Sequence, residues 1–516
     1  MRRTPARSAL LRPSVPAGPA RPVRRTLRRS AVAALFLPTL VGGFALQAWG
    51  GRDGERMFHE VISRVATLGL DSLSDAELYE KAARGLLAQI EDPYADLFSP
   101  EQLAEFSRQA LRNSYVGVGM QITVVRDTAL VTRVFLGSPA ARAGVQRGDR
   151  IVLVQGESVT GLPVDQVTQR LLGAPGTSVD VGYIRHGTGD IQHTFVREQI
   201  KYPSVSYALM LEPGIGYVPL ESFNNTSGED VEAAIVGLRK SGARAYVLDL
   251  RGNTGGSLDQ AVRITSLFLR PGQEVLRADY RNAPDEIYRA RPGSGITDAP
   301  LVVLTDGNSA SASEIVAGAL QDHDRAVIVG TQSFGKGLVQ DVFQLDGGWA
   351  LKLTTGRWYT PSGRTIQRPR RLTPDGRLVE VESDSAPPVF RSDAGRPVYG
   401  GGGVTPDVLE SPDTLAGPDR ALMRLLAARG GLVNEVLQEM AVDLSPAAAP
   451  AFRSTPEWRR DLSDRLERRG LRLDPATYEA GAALVDRLLE ARVSEMAFGD
   501  SASFRRGVVR DRQLQT

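Results

Sequence analysis

The chain reads as an α/β protein with a layered core, a smaller β-rich module ahead of it, and helical regions at both ends. Three patterns predict this. Strand-like and helix-like runs alternate from Gly214 to Thr355, as in a buried sheet layered with helices. Between Tyr115 and Glu198, short β patterns alternate with glycine turns around one helical stretch. Before Leu111 and after Gly417, apolar residues recur at helical spacing.

Residues 1–30 are arginine-rich from Arg2 to Arg29 and carry no acid, which predicts a basic cytoplasmic tail. The uncharged stretch Ala31 to Trp49 follows, and roughly twenty such residues span a bilayer core. Residues 31–50 therefore read as a signal anchor or a signal peptide. Leu46-Gln47-Ala48 makes a poor cleavage site, which favours the anchor. A helical region is expected over 55–112. Phe58, Val61, Ile62 and Val65 form one stripe and Leu86, Leu87 and Ile90 another, and Asp92-Pro93 breaks the helix.

The β-rich module is expected over 113–200, with a helix near Asp165–Leu172. The core is expected over 201–415. Its strands read as Ile215–Val218, Ala245–Leu250, Leu301–Thr305 and Ala326–Val329, and its helices as Glu229–Arg239, Leu258–Leu269 and Ala312–Gln321. Arg371 to Arg396, rich in Pro, Asp, Ser and Arg, reads as a loop or insertion. A helical extension is expected over 416–516, with stripes Leu425, Leu432, Val436, Met440 and Trp458, Leu462, Leu466.

Composition narrows the function. The chain has 516 residues, 42% hydrophobic and 24% charged, which suits about two to four soluble domains. A net charge of +2 argues against a nucleic-acid partner. The absence of cysteine excludes disulfides, thiolate nucleophiles and cysteine-ligated metals. His59, His186, His193 and His323 lack the spacing of a helical zinc site, so neither metal nor cofactor is expected.

Three motifs carry chemistry. Gly307-Asn308-Ser309-Ala310-Ser311-Ala312-Ser313-Glu314 lies between the apolar strand LVVLT and the helix EIVAGALQD. A serine at such a turn faces free N–H groups and a partial positive charge, the setting of a nucleophile beside an oxyanion hole. The same residues suit helix capping equally well. In Ser333-Phe334-Gly335-Lys336-Gly337-Leu338-Val339-Gln340, Lys336 sits among apolar neighbours, where burial disfavours its charged form. To act as a base near neutral pH, its pKa must fall from ~10.4 to about 8. In Leu248-Asp249-Leu250-Arg251-Gly252-Asn253-Thr254-Gly255-Gly256, a strand ends in a glycine-rich turn without the residues of a phosphate loop. Its backbone suits an oxyanion hole. His323 is a rival base, but on the same helix it would lie about three turns, or roughly 18 Å, from Ser311.

In order, LDLRGNTGG, NSASASEIVAGALQD, GTQSFGKGLVQ, YTPSGRTIQ and GGGVTPDV resemble the carboxyl-terminal processing peptidases, or tail-specific proteases, over roughly two-thirds of the chain. The resemblance implies a layered ClpP/crotonase-like α/β protease core with an inserted PDZ domain. It implies Ser311 as nucleophile, Lys336 as general base and Gln340 as the residue orienting the lysine. Ala312, with Gly255 or Gly256, would form the oxyanion hole. Asp322 resembles an acid that supports activity or structure in some relatives.

Tyr115-Val116-Gly117-Val118-Gly119-Met120 resembles the carboxylate-binding loop of PDZ domains, which implies peptide binding by Gly117, Val118, Gly119 and Met120. Relatives commonly carry an arginine just before the glycine after the PDZ helix, where this chain has Leu172-Gly173. The implied function is a Ser/Lys endopeptidase acting on protein or peptide substrates with free C-terminal tails. The implied place is the bacterial cell envelope, anchored in the inner membrane facing the periplasm, or periplasmic if the N-terminal segment is cleaved. The helical regions suit self-association or an adaptor. Two other classes fit less of the chain. A non-catalytic PDZ scaffold has no need of Ser311, Lys336 and Gln340. A crotonase-like acyl-CoA enzyme leaves the PDZ-like module unexplained.

Overall fold

The computed structural model describes residues 53–516 except 91, 111–113, 294, 374–376, 382–385 and 416. The basic tail and the apolar segment expected at 1–30 and 31–50 lie outside the described residues. Among the described residues, no helix is long and apolar enough to cross a membrane. The chain divides into two compact units, one ending at Leu86 and one spanning Leu87–Thr516. The N-terminal region contains helices 53–68 and Asp75–Gln89. The expected stripe of the first helix is present but not covered: Phe58, Val61 and Val65 are 49%, 53% and 43% exposed. After the break at Asp92-Pro93 come the short strand Asp96–Phe98 and the helix Pro100–Ala110.

The protease-like core is layered as expected. Its six-stranded sheet runs Leu209–Glu212, Ile215–Pro219, Ala245–Asp249, Leu301–Thr305, Val327–Gly330 and Val408–Leu409. All neighbours after the first pair are parallel. Buried on both faces, its strands read as continuous apolar runs such as LVVLT. Helices Ser227–Lys240, Leu258–Ser266 and Ala312–Asp322 connect them.

A second sheet was not apparent in the sequence. It pairs Asp96–Phe98, Ala350–Tyr359, Glu274–Tyr280 and Glu286–Arg289, with Leu338–Gln344 also on Ala350–Tyr359. The helix Ala312–Asp322 touches both Val327–Gly330 of the first sheet and Glu274–Tyr280 of the second. All eleven of its residues are buried, which its small and apolar sequence ASEIVAGALQD permits. The segment expected as a loop over 371–396 instead forms two short hairpins. These are Arg370–Leu372 with Leu378–Glu380, and Val389–Arg391 with Pro397–Tyr399. Its turn-forming residues mark the bends: Ser392 and the amide of Ala394 bond Asp324 at 2.9 and 2.6 Å.

The β-rich module is a sheet in the order Met120–Val125, Thr128–Val134, Arg150–Val154, Ser178–Arg185, Gly189–Val196. Helix Val164–Leu171 packs beside the edge strand Met120–Val125. Gly119 has φ 88°, and a Cβ there would fall 2.1 Å from Ser138 Cβ, so only glycine fits.

The C-terminal extension runs from Gly417 to Gln515 as a series of helices with its own core, including Leu422, Val436, Leu466 and Leu489. The expected stripe is out of phase at one position: Leu425 is 42% exposed, and Leu422 and Leu426 are buried instead. The extension packs on the β-rich module, where Ala441, Val493 and Met496 cluster with Val125 and Leu130. Asp500 binds both Arg133 and Arg147 of that module.

Candidate active site

Ser311 lies between strand Leu301–Thr305 and helix Ala312–Asp322 with φ 55° and ψ −111°, a backbone conformation that side chains strain against. Its flanking serines explain how the turn is held. Ser309 Oγ donates to Leu250 O at 2.8 Å and Ser313 Oγ to Asn253 O at 2.8 Å, both fully buried. Ser311 is the half-exposed one of the three.

The glycine turn packs directly on this loop. A Cβ on Gly255 would fall 2.6 Å from Ala310 O and 2.9 Å from Ala312 N. Gly255 N–H donates to Asn253 Oδ1 at 2.9 Å, so it is already committed. Among the described residues, the N–H groups of Ala312 and Gly256 meet no acceptor. Of the two glycines expected at an oxyanion hole, Gly256 is the one whose N–H is left without an acceptor among the described residues.

Lys336 is brought to the same place by Glu314, whose position in the sequence also suits a helix cap. Glu314 is fully buried, and its Oε2 accepts from Ser311 N–H at 2.9 Å and Lys336 N–H at 2.8 Å. Its Oε1 accepts from Ser333 Oγ at 2.5 Å and Gly335 N–H at 2.6 Å. One carboxylate thus ties the serine loop to the lysine loop. Burial pushes its carboxyl pKa up, against the pull of these donors. Three of the four partners are backbone N–H groups, which can only donate and so favour the ionised form that burial opposes. The signal available in the sequence was an acid in the first turn of a helix that is small and apolar from there to Leu320.

The Lys336 ammonium donates to Gln340 Oε1 at 2.8 Å, and Gln340 Nε2 donates to Tyr94 O at 3.2 Å. The ammonium also lies 5.2 Å from the Tyr94 ring centre. Burial depresses the Lys336 pKa, nearby Lys352 adds to the effect, and Glu314 and Asp92 oppose it. Phe334, expected beside Lys336, instead stacks on Arg370, 3.7 Å from its guanidinium carbon. Tyr94 supplies the aromatic surface.

The other motifs converge here. Gln367 Oε1 accepts from Gly337 N–H at 2.8 Å, and Arg370 donates to the carbonyls of Phe334 and Gly335. Val404 N–H donates to Ser333 Oγ at 2.6 Å. Asp322 faces away from this cluster. It pairs with buried Arg364 at 2.7 Å and accepts from Ser362 N–H at 3.0 Å. His323 closes the far end of the helix, its Nε2 2.7 Å from Glu274 O and its Nδ1 2.8 Å from Asp393.

In the β-rich module, Gly117 pairs with Glu198, and the side chains of Val118 and Met120 are buried in the core. Gly119 O accepts from Phe135 N–H at 3.0 Å and Ser138 Oγ at 3.2 Å, which fixes the loop at the head of the edge strand. At Gly173, the guanidinium of Arg197 takes the space a side chain would need and donates to the carbonyls of Arg170, Leu171 and Ser178. Among the described residues, no group of acidic or histidine side chains could hold a metal ion.

The model of Peptidase family S41 matches residues 214–378, and that of the PDZ domain matches residues 108–183. The carboxy-terminal processing protease CtpA of Bacillus subtilis is 34% identical over 57% of this chain and 62% of its own length. The carboxy-terminal-processing protease of Bartonella bacilliformis is 37% identical over 62% of this chain and 73% of its own. A solved photosystem II D1 C-terminal processing protease is 27% identical, covering 74% of this chain and 96% of its own, with a TM-score of 0.39. The matched stretch spans about three-fifths to three-quarters of the curated relatives. The chain belongs to the carboxy-terminal-processing proteases of Peptidase family S41.

Proposed function

We propose that the protein is a serine endopeptidase that cleaves exported or envelope proteins captured by their C-terminal tails. The observation that carries this is the Glu314 carboxylate, which holds the backbones of Ser311 and Lys336 on one oxygen, at 2.9 and 2.8 Å. Neutral Lys336 accepts the Ser311 hydroxyl proton as the serine oxygen attacks a peptide carbonyl. The N–H groups of Ala312 and Gly256 stabilise the resulting oxyanion. Protonated Lys336 then gives its proton to the leaving amine. Water attacks the acyl-enzyme by the same route in reverse, releasing the carboxylate product and Ser311. Gln340 holds the lysine amine by accepting one of its hydrogens.

The PDZ domain supplies the tail-binding edge. An extended C-terminal segment adds as a strand between Met120–Val125 and helix Val164–Leu171, its carboxylate at the Gly117–Met120 loop. The arginine-rich tail and the apolar segment support insertion as a signal anchor, or export as a signal peptide, with the protease facing the periplasm. The uncovered Phe58, Val61 and Val65 stripe supports self-association or an adaptor through the N-terminal helices.

The test is cleavage of an unfolded protein by purified full-length chain beside Ser311→Ala and Lys336→Ala. Cleavage by wild type and silence from both folded variants is expected. Normal turnover by Lys336→Ala would remove the lysine from the mechanism. Failure of a serine-directed phosphonate to label Ser311 would favour a binding protein on a protease fold.

A further inference from the structure

We propose that Asp511 and Gln513, in the last helical turn of the C-terminal extension, are positioning residues for the oxyanion turn. The proposal rests on the assignment of Ser311 as nucleophile.

The turn Gly252–Gly256 is intrinsically soft. Gly252, Gly255 and Gly256 have φ values of 72°, 98° and 144°, which no side chain stabilises. Its shape is set by pins at its ends. Asn253 is held by Leu220 O at 2.7 Å and by Ser313 at 2.8 Å. At the entry, Gly252 N–H donates to Asp306 Oδ1 at 3.0 Å, and the side-chain pin is Arg251. Its guanidinium grips buried Asp249, Nε to Oδ1 at 3.0 Å and Nη2 to Oδ2 at 2.6 Å. The remaining donors go to the extension: Nη1 to Asp511 Oδ1 at 2.9 Å, Nη2 to Asp511 Oδ2 at 2.7 Å, and Nη1 to Gln513 Oε1 at 3.0 Å.

Paired with Asp511 through two parallel bonds, the guanidinium is fixed in plane as well as in place. Gln513 is buried, and its Nε2 donates to Glu410 O at 2.8 Å beside the sheet's last strand. Asp249 is steadied in turn by Tyr217 Oη at 2.7 Å, and Phe504 of the extension stacks on the Tyr217 ring at 4.4 Å. Two independent contacts from the extension therefore converge on the Asp249–Arg251 pair that opens the turn. Without Asp511 the guanidinium, still largely buried, keeps its bonds to Asp249 but loses two carboxylate bonds, and the entry of the turn is left to Asp249 and to Gly252 N–H on Asp306.

A role confined to anchoring the extension makes a different prediction, and Arg505 separates the two. Arg505 ties the same extension to Met210 O at 3.0 Å without touching Arg251. The experiment compares full-length wild type, Asp511→Asn, Asp511→Glu and Arg505→Ala. It reads kcat and KM on an unfolded protein, and hydrogen exchange of the 252–256 amides in a Ser311→Ala background.

Asp511→Asn is expected to lower kcat about tenfold or more, at little change in KM, because the loss falls on transition-state geometry. Exchange in the turn should accelerate by a similar factor. Asp511→Glu should recover part of both, and Arg505→Ala should change neither. Unchanged exchange in Asp511→Asn, or equal damage from Arg505→Ala, would overturn the proposal. The exchange arm needs no turnover. An inactive wild type would sink the protease assignment while exchange alone still decides whether Asp511 and Gln513 order the turn.

Discussion

The side-chain amide of Gln340 donates to the main-chain carbonyl of Tyr94 at 3.2 Å, and that single bond settles which end of the amide faces Lys336. Because a carbonyl accepts only, Gln340 must present Oε1 to the lysine, as it does at 2.8 Å. The amide that Lys336 bonds is itself oriented by a residue 246 positions earlier in the chain.

Gln340→Glu should therefore shift the pH–rate profile. A carboxylate in contact with Lys336 favours the ammonium, raises the lysine pKa and moves the activity rise to higher pH. Activity against pH on wild type and variant checks this. An unshifted or acid-shifted profile would show that position 340 does not set the base.

In wild type the rise itself should lie below the ordinary lysine pKa of 10.5, because burial depresses Lys336. The same depression makes a stability prediction for Lys336→Met. Below the folded-state pKa the native protein carries a buried ammonium, so the variant should be the more stable. Between the folded value and 10.5, the unfolded chain holds the proton that the native state has released, and wild-type stability climbs with pH. The advantage of Lys336→Met should thus shrink as pH rises through that window, as measured by denaturant unfolding.

Glu314→Gln replaces an acceptor that serves four donors with an amide that must turn its NH2 toward two of them. Each buried donor left unmatched costs about 1–3 kcal/mol. Displacing Ser311 from Lys336 by about 1 Å would cost roughly 100-fold in kcat. The expected pattern is a folded but destabilised protein with slowed phosphonate labelling of Ser311. Full labelling speed would limit Glu314 to a capping role.

Asp322→Ala should act on stability alone. It strands Arg364, which is fully buried, and breaking such a pair costs about 3–5 kcal/mol. Turnover per folded molecule should stay close to wild type at temperatures where the variant is native. A large fall in kcat there would return Asp322 to the catalytic machinery.

Much of this architecture could be read from the residues, for physical reasons. The parallel strands announce themselves because both faces are buried, and Leu301–Thr305 reads as one apolar run. Ser311 and Lys336 are legible through the resemblance of SASAS and FGKG to the family's motifs, since the serine stretch alone suits a helix cap equally well. The second sheet escaped because Leu338–Gln344 is half exposed to exposed along its length and opens from a glycine-rich loop, so neither apolar runs nor clean alternation mark it. Glu314 escaped because a cap and a clamp share one sequence pattern. Tyr94, Arg197 and Asp511 act across distances in sequence that no local periodicity records. Arg251 and Asp511 are 260 positions apart.

The backbone of Ser311 sets a trade-off between stability and activity. At φ 55° and ψ −111°, serine and alanine are equally strained, so Ser311→Ala removes the proposed nucleophile without relieving the fold. Glycine adopts this conformation freely. Relief of about 1–3 kcal/mol of strain outweighs the extra freedom glycine gives the unfolded chain, about 0.4–1 kcal/mol. Ser311→Gly should then melt above both Ser311→Ala and wild type. On the proposed mechanism, the sturdiest form of this protein would be one that cannot cut, and selection for cleavage would continually hold position 311 away from it.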